Sequence, residues 1–109
     1  MLKYIGGISF DDKLYESEQI VICGAGKKLP DLLNRLKIMG LLDRVVVICD
    51  GNSELWGKVI HHIPVYGYEK AIQHYQDADF IAYNRFAAEI CFEISSKINK
   101  IHLFSPRSL

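Results

Sequence analysis

The segment Gly24-Ala25-Gly26-Lys27-Lys28 holds the residue types in this chain whose spacing most directly implies chemistry. Two glycines one residue apart allow a tight turn and close approach of a ligand to the backbone. If a helix follows, its unpaired N–H groups and positive dipole end favour an anion. Lys27 and Lys28 add charge at the same place, so phosphate or pyrophosphate is the expected guest. Asp50 follows at the end of a second apolar run, with Gly51 beside it in the turn. An acid there either accepts hydrogen bonds from ribose hydroxyls or bonds to its own loop. Tyr83, Asn84 and Arg85 form a third segment. The phenol stacks on a base or serves as a half-buried sheet tyrosine, the amide caps a helix or touches ligand, and the guanidinium reaches an anion or lies on an exposed helix face. The expected ligand-binding set is therefore Gly24, Ala25, Gly26, Lys27, Lys28, Asp50, Gly51, Tyr83, Asn84 and Arg85.

Other reactive types carry less. The dinucleotide fingerprint Gly-x-Gly-x-x-Gly needs a third glycine at position 29, where this chain has Leu29 followed by Pro30. That departure implies a wider helix entry or another phosphate path. His61 and His62 are adjacent, point to opposite faces of an extended backbone, and have no acid or cysteine at ligand spacing, so no metal site is assigned. Trp56 reads as packing or a loop anchor, and Tyr66 and Tyr68 as base stackers or ordinary sheet tyrosines. Cys23 and Cys49 end apolar runs near the same crevice, and buried strand thiols are usually inert. No Ser/His/Asp or Cys/His constellation assembles, so no catalytic residue is assigned.

The elements that must position these residues alternate. Gln19–Cys23 and Arg44–Cys49 are continuous apolar runs of the kind buried on both faces of a parallel sheet. Between them Leu29, Leu32, Leu33, Leu36 and Met39 make a helical stripe closed by Gly40, with Pro30 in the first turn. Ile63–Tyr66 reads as a short edge strand, and Glu54 to His62 shows no period. Tyr68–Tyr75 reads as a helix, Phe80–Tyr83 as a strand, Arg85–Lys97 as a helix capped by Asn84, and Ile101–Phe104 as a fifth strand. The apolar stripe of the last helix is Phe86, Ala87, Ile90, Cys91 and Ile94. Tyr4–Ile8 reads as a strand or turn and Phe10–Glu18 as holding one helical turn. The alternation predicts a three-layer α/β/α fold around a five-stranded parallel sheet of order 3-2-1-4-5. Ligands of such sheets sit beyond the carboxyl ends of the strands, where the order reverses.

Composition bounds the partners. With 109 residues, 50% hydrophobic and 24% charged, the chain suits one compact domain. Thirteen Lys and Arg balance thirteen Asp and Glu. That balance disfavours nucleic acid and permits a homodimer. Three cysteines without a Cys-x-x-Cys clip fit a reducing compartment. Residues 1–10 lack a signal-peptide core, and no apolar run reaches the ~18 residues of a membrane span. A cytoplasmic protein without membrane insertion is expected.

From Ile20 to Phe104 the string resembles the small Rossmann-like domain at the N-terminus of bacterial sugar acyltransferases of the sialic-acid and bacillosamine type, and of related glycan-biosynthesis proteins. The similar residues are Ile20-Val21-Ile22-Cys23-Gly24-Ala25-Gly26-Lys27, Val47-Ile48-Cys49-Asp50, and Leu55-Trp56-Gly57-Lys58 followed by Ile63-Pro64-Val65. His62 stands where that family has glycine before the strand. With the mixed pattern of 1–18 read as a lead-in, 19–109 is expected to form one Rossmann-like nucleotide-binding domain. The resemblance implies that a nucleotide-linked sugar binds near Gly24, Gly26 and Asp50. The family's acyltransferases continue into a repeat-built domain that holds acetyl-CoA and much of the catalytic chemistry. This chain stops soon after the fifth strand, as expected of a free-standing version or an excised piece, and the acyltransferase activity does not transfer. The expected function is a nucleotide or nucleotide-sugar binding module of surface polysaccharide biosynthesis, acting as a homodimer or with a glycan-biosynthesis enzyme. The alternatives are an NAD(P)-binding subunit of an oxidoreductase and a protein-interaction domain with an empty pocket.

Overall fold

Ile20-Val21-Ile22-Cys23 forms strand β1 (Ile20–Cys23), and all four residues are buried. Its uninterrupted apolarity follows from burial on both faces. The computed structural model describes residues 14–83, 89, 96–98 and 100–103. After β1 come helix α1 (Leu29–Ile38), a 3-10 turn (Leu42–Arg44), β2 (Val45–Cys49), a second 3-10 turn (Ser53–Leu55) and β3 (Val59–Ile60). Strand β4 (Ile63–Tyr66), helix α2 (Tyr68–Tyr75), β5 (Asp79–Ala82) and β6 (Lys100–Leu103) complete the series. They make an α/β fold with a six-stranded sheet of order β3-β4-β2-β1-β5-β6.

The sheet is mixed, which corrects the purely parallel five-stranded expectation. Strands β4, β2, β1, β5 and β6 pair in parallel, in the expected side-by-side order. Strand β3 then pairs antiparallel with β4, through Val59↔Pro64 and Ile60↔Ile63, and adds a sixth strand at the edge. A strand of two residues carries no readable period. Its turn is unusual too: His61 and His62 both have positive φ, 51° and 67°. Two left-handed central residues define the hairpin turn that normally takes Asn-Gly, so the sequence offers no hairpin signal here. The histidines are exposed turn residues.

Alternation along the strands sorts the apolar side chains into two cores. Ile20, Ile22, Ile48, Val65 and Ile81 face α1 and its buried Leu29, Leu32, Leu33 and Leu36. Val21, Cys23, Val47, Cys49, Phe80 and Ala82 face the other side with Ala71 of α2, Ile98 and Ile101. Helix α1 ends in left-handed Gly40 (φ 76°), with Gly40 N–H donating to the Lys37 carbonyl and Leu41 N–H to the Leu36 carbonyl. This is a Schellman ending, and buried Leu36 and Leu41 belong to the same core.

Below the amino ends of the strands, Asp79 on β5 and His102 on β6 form a buried pair, Oδ2 to Nε2 2.5 Å. Burial pushes the Asp79 carboxyl upward, but the hydrogen bond and charge of His102, helped by Ser17 and Lys100, hold it below the ordinary range. The lead-in is tied to this end, because Arg44 Nη1 donates to the Tyr15 and Ser17 carbonyls at 2.9 and 2.7 Å. Leu14 is fully buried in the α1 core. The readings made for 1–13, Asn84, 85–88 and 90–95 of the last helix with its stripe and Cys91, and Phe104 lie outside the described residues. No helix among the described residues is long and apolar enough to cross a membrane.

Two predictions follow from these contacts. Replacing His61-His62 by Asn-Gly removes left-handed strain and is expected to stabilise the fold by about 1 kcal/mol in urea unfolding. Because the native Asp79 pKa lies below its unfolded value, its contribution is present above the unfolded pKa of about 4 and fades as pH falls toward the native one. The wild type is therefore expected to lose stability on acidification through that window, whereas the Asp79→Asn variant, weaker at neutral pH, shows a flatter acid limb.

Candidate functional site

Because β1, β2, β4 and β5 run in parallel, their carboxyl ends share one edge of the sheet. The chain builds outward from β1 through β2 to β4, then returns to the other side of β1 with β5. The reversal therefore lies between β1 and β5, above Cys23 and Ala82. Gly24 leaves β1 with φ 98°, a backbone conformation that disfavours any side chain. Its N–H still donates to the Cys49 carbonyl at 2.7 Å, and the loop turns immediately afterwards toward α1.

Tyr83, the residue after β5, occupies the space beneath that loop. Its side chain is fully buried. The hydroxyl donates to the Gly24 carbonyl at 2.7 Å and accepts from the Gly26 N–H at 2.8 Å. Burial pushes the Tyr83 phenol above its ordinary pKa; the Gly26 N–H pulls the other way, while the Asp50 and Cys23 charges add to the rise. A neutral phenol is the form this double hydrogen bond requires. Asp50, at the end of β2, grips the loop from the other side. Its Oδ2 accepts from the Ala25 N–H at 2.9 Å, and its Oδ1 accepts from the Asn52 N–H at 2.8 Å in its own turn. Asp50 thus supports its own loop and the glycine loop together.

The glycine loop is consequently a turn whose Gly24, Ala25 and Gly26 amides are all bonded within the chain. The Ala25 and Gly26 amides, which could have faced a phosphate, point to a carboxylate and a phenol of the same chain. Lys27 and Lys28 remain exposed at the start of α1, with Lys28 Nζ 3.7 Å from Asp31 in a solvent-exposed ion pair. Helix α1 has no side-chain cap and carries proline in its first turn. Gly51 is exposed, with open space where a Cβ would stand. Of the expected binding set, the fold thus gathers Gly24, Ala25, Gly26, Asp50 and Tyr83 into one hydrogen-bonded cluster. It leaves Lys27, Lys28 and Gly51 at the surface around it. Asn84 and Arg85 lie outside the described residues. Cys23 and Cys49 are buried, with their sulfurs 3.8 Å apart. Among the described residues no group of three or more His, Cys, Asp or Glu could hold a metal ion.

A second feature of this edge was read only in fragments. The Trp56 Nε1–H donates to the Asp50 carbonyl at 2.6 Å. Its ring lies on Gly67, the N-cap residue just before α2: a Cβ added there would stand 2.9 Å from the Trp56 ring. The loop-anchor role holds, and it also builds one wall of a cleft of about 780 Å³. Tyr66, Tyr68, Glu69, Lys70, Gln73 and His74 are among its other lining residues. Lys70 Nζ stands 4.2 Å from the centre of the Tyr66 ring, with His74 edge-on and Tyr75 stacked behind. The usable signal was Trp56-Gly57 ahead of Gly67, together with Tyr66, Tyr68 and Lys70 clustered where β4 passes into α2.

The fold and the edge cluster define an α/β protein with a ligand-sized cleft beside a braced glycine turn. No family model, curated protein or solved structure matches the chain.

Removing the Tyr83 hydroxyl tests the brace directly. Tyr83→Phe leaves the Gly24 carbonyl and the Gly26 N–H without their partner and is expected to cost about 1–3 kcal/mol in chemical unfolding. With its pKa raised, Tyr83 keeps its proton in the fold above pH 10, where the unfolded chain loses it. Stability then falls as pH rises above about 10, and the variant should show a shallower alkaline loss.

Proposed function

We propose that this chain is a Rossmann-like binding module for a nucleotide or nucleotide-sugar, acting in the cytoplasm with a glycan-biosynthesis enzyme or as a homodimer. The observation that carries the reading is the hydrogen-bonded turn at the reversal of the sheet, with the exposed Lys27 and Lys28 following it. A loop already ordered by Tyr83 and Asp50 loses little freedom on binding, which favours affinity. Its inner amides are engaged. A phosphate is therefore held by the Lys27 and Lys28 ammonium groups and the start of α1 rather than by the Ala25 and Gly26 N–H groups. That arrangement favours charge recognition over the close cradle of a dinucleotide site, in keeping with Leu29 at the third fingerprint position.

A specific observation favours the second reading, a protein-interaction domain. The space beneath the loop is filled by Tyr83, so no ligand reaches the backbone from that side.

Thermal shift and titration calorimetry with UDP, UDP-, CDP- and dTDP-sugars and NADH separate the readings. Binding of a nucleotide-sugar raises the melting temperature by mass action. Lys27→Ala/Lys28→Ala is expected to weaken that binding about tenfold without changing the melting temperature of the free protein. Binding of NADH alone favours an oxidoreductase subunit. No shift with any of them, together with a stable hetero-complex, favours the interaction domain.

A further inference from the structure

The cleft between Trp56 and α2 is separate from the glycine loop and has a chemistry of its own. Trp56 is 48% exposed yet immobilised. Its Nε1–H is spent on the Asp50 carbonyl, and its ring rests on Gly67, where no larger residue fits. A tryptophan pinned at its edge with a large apolar area facing water is a stacking platform whose ordering cost is already met by the fold. The cleft volume of about 780 Å³ lies in the range of small-molecule sites.

The polar lining residues set the class of guest. Glu69, Lys70, Gln73 and His74 supply a carboxylate, an ammonium, an amide and an imidazole, which together offer both donors and acceptors. The carboxylate and the ammonium offset each other, so nothing in the lining selects a strongly charged ligand. The place a cationic ligand would take over the Tyr66 ring is filled by Lys70. A flat base would cover Trp56 with one face and leave its other face in water. A pyranose suits this lining better: one face of the ring is C–H surface for the indole, and its rim of hydroxyls both donates and accepts.

We propose that this cleft binds a pyranose ring, stacked on Trp56 and hydrogen-bonded by Glu69 and Gln73. The terminal residue of a glycan and the sugar end of a nucleotide-sugar present the same ring. The proposal does not depend on the glycine loop binding a phosphate.

Trp56 is the single tryptophan of the chain, so its emission reports the site directly. The protein is titrated with methyl pyranosides of glucose, galactose and N-acetylglucosamine, a tri-N-acetylglucosamine oligosaccharide, uridine, UDP and UDP-N-acetylglucosamine. A saturable emission change with at least one methyl pyranoside is expected. Glu69 and Gln73 are exposed, so Glu69→Ala and Gln73→Ala should keep the wild-type melting temperature while each weakens sugar binding about fivefold. The oligosaccharide binding tightest identifies a glycan as the source; UDP-N-acetylglucosamine binding tighter than both UDP and the pyranoside identifies a nucleotide-sugar. The proposal is overturned if no sugar alters the emission, if uridine or UDP alone alters it as strongly as the sugars, or if both alanine variants titrate like the wild type. UDP binding that survives such a result leaves the glycine-loop reading intact, and sugar binding without UDP binding leaves the cleft intact while removing that reading.

Discussion

A strand that is buried on both faces must still find partners for its backbone where its ladder ends. In this protein β1 lies between β2 and β5, and at Gly24 the chain leaves both neighbours at once. Unpaired amides and carbonyls in that position would cost free energy comparable to lost hydrogen bonds. Tyr83 and Asp50 meet the demand from the two flanking strands. The helix entry, the position of the lysines and the course of the Asp50 turn all follow from those few bonds.

The same residues explain why this edge differs from an open phosphate cradle. In a bare glycine turn the amides wait for an anion. Here the Asp50 carboxylate is itself the anion at the Ala25 N–H, and a phenol takes the Gly26 N–H. The charge that remains for a ligand sits on flexible lysine side chains at the start of α1. Asp50 reaches further, because its carbonyl accepts from Trp56. One residue therefore links the glycine loop to the aromatic cleft.

Much of the architecture was legible from local pattern. The doubly apolar runs around Ile20–Cys23 and Val45–Cys49, and the leucine stripe closed by Gly40, have periods that admit few alternatives. Helix α1 buries Leu29, Leu32, Leu33 and Leu36 as that reading expects and is closed at Gly40, with Met39 as its cap. Strand β3 had no such pattern, being two residues long and joined to β4 by a His-His turn instead of Asn-Gly. In the site, the glycine pair and Asp50 stood out because turn-forming residues break an apolar run abruptly. The role of Tyr83 did not, since a tyrosine ending an apolar strand looks the same whether its hydroxyl faces solvent or a loop 57 residues away.

The sequence by itself determined which residues are apolar on which face, where the parallel strands and the first helix lie, and which segments reach the carboxyl edge. These are consequences of periodicity and turn chemistry over a few neighbouring residues. Only the tertiary structure decided that the glycine amides are already satisfied, that Asp50 serves two loops, and that Trp56 lies on Gly67 to open a cleft along α2. Those facts depend on hydrogen-bond direction and side-chain packing between elements far apart in the chain, and no local pattern encodes which way a hydroxyl or an indole finally points.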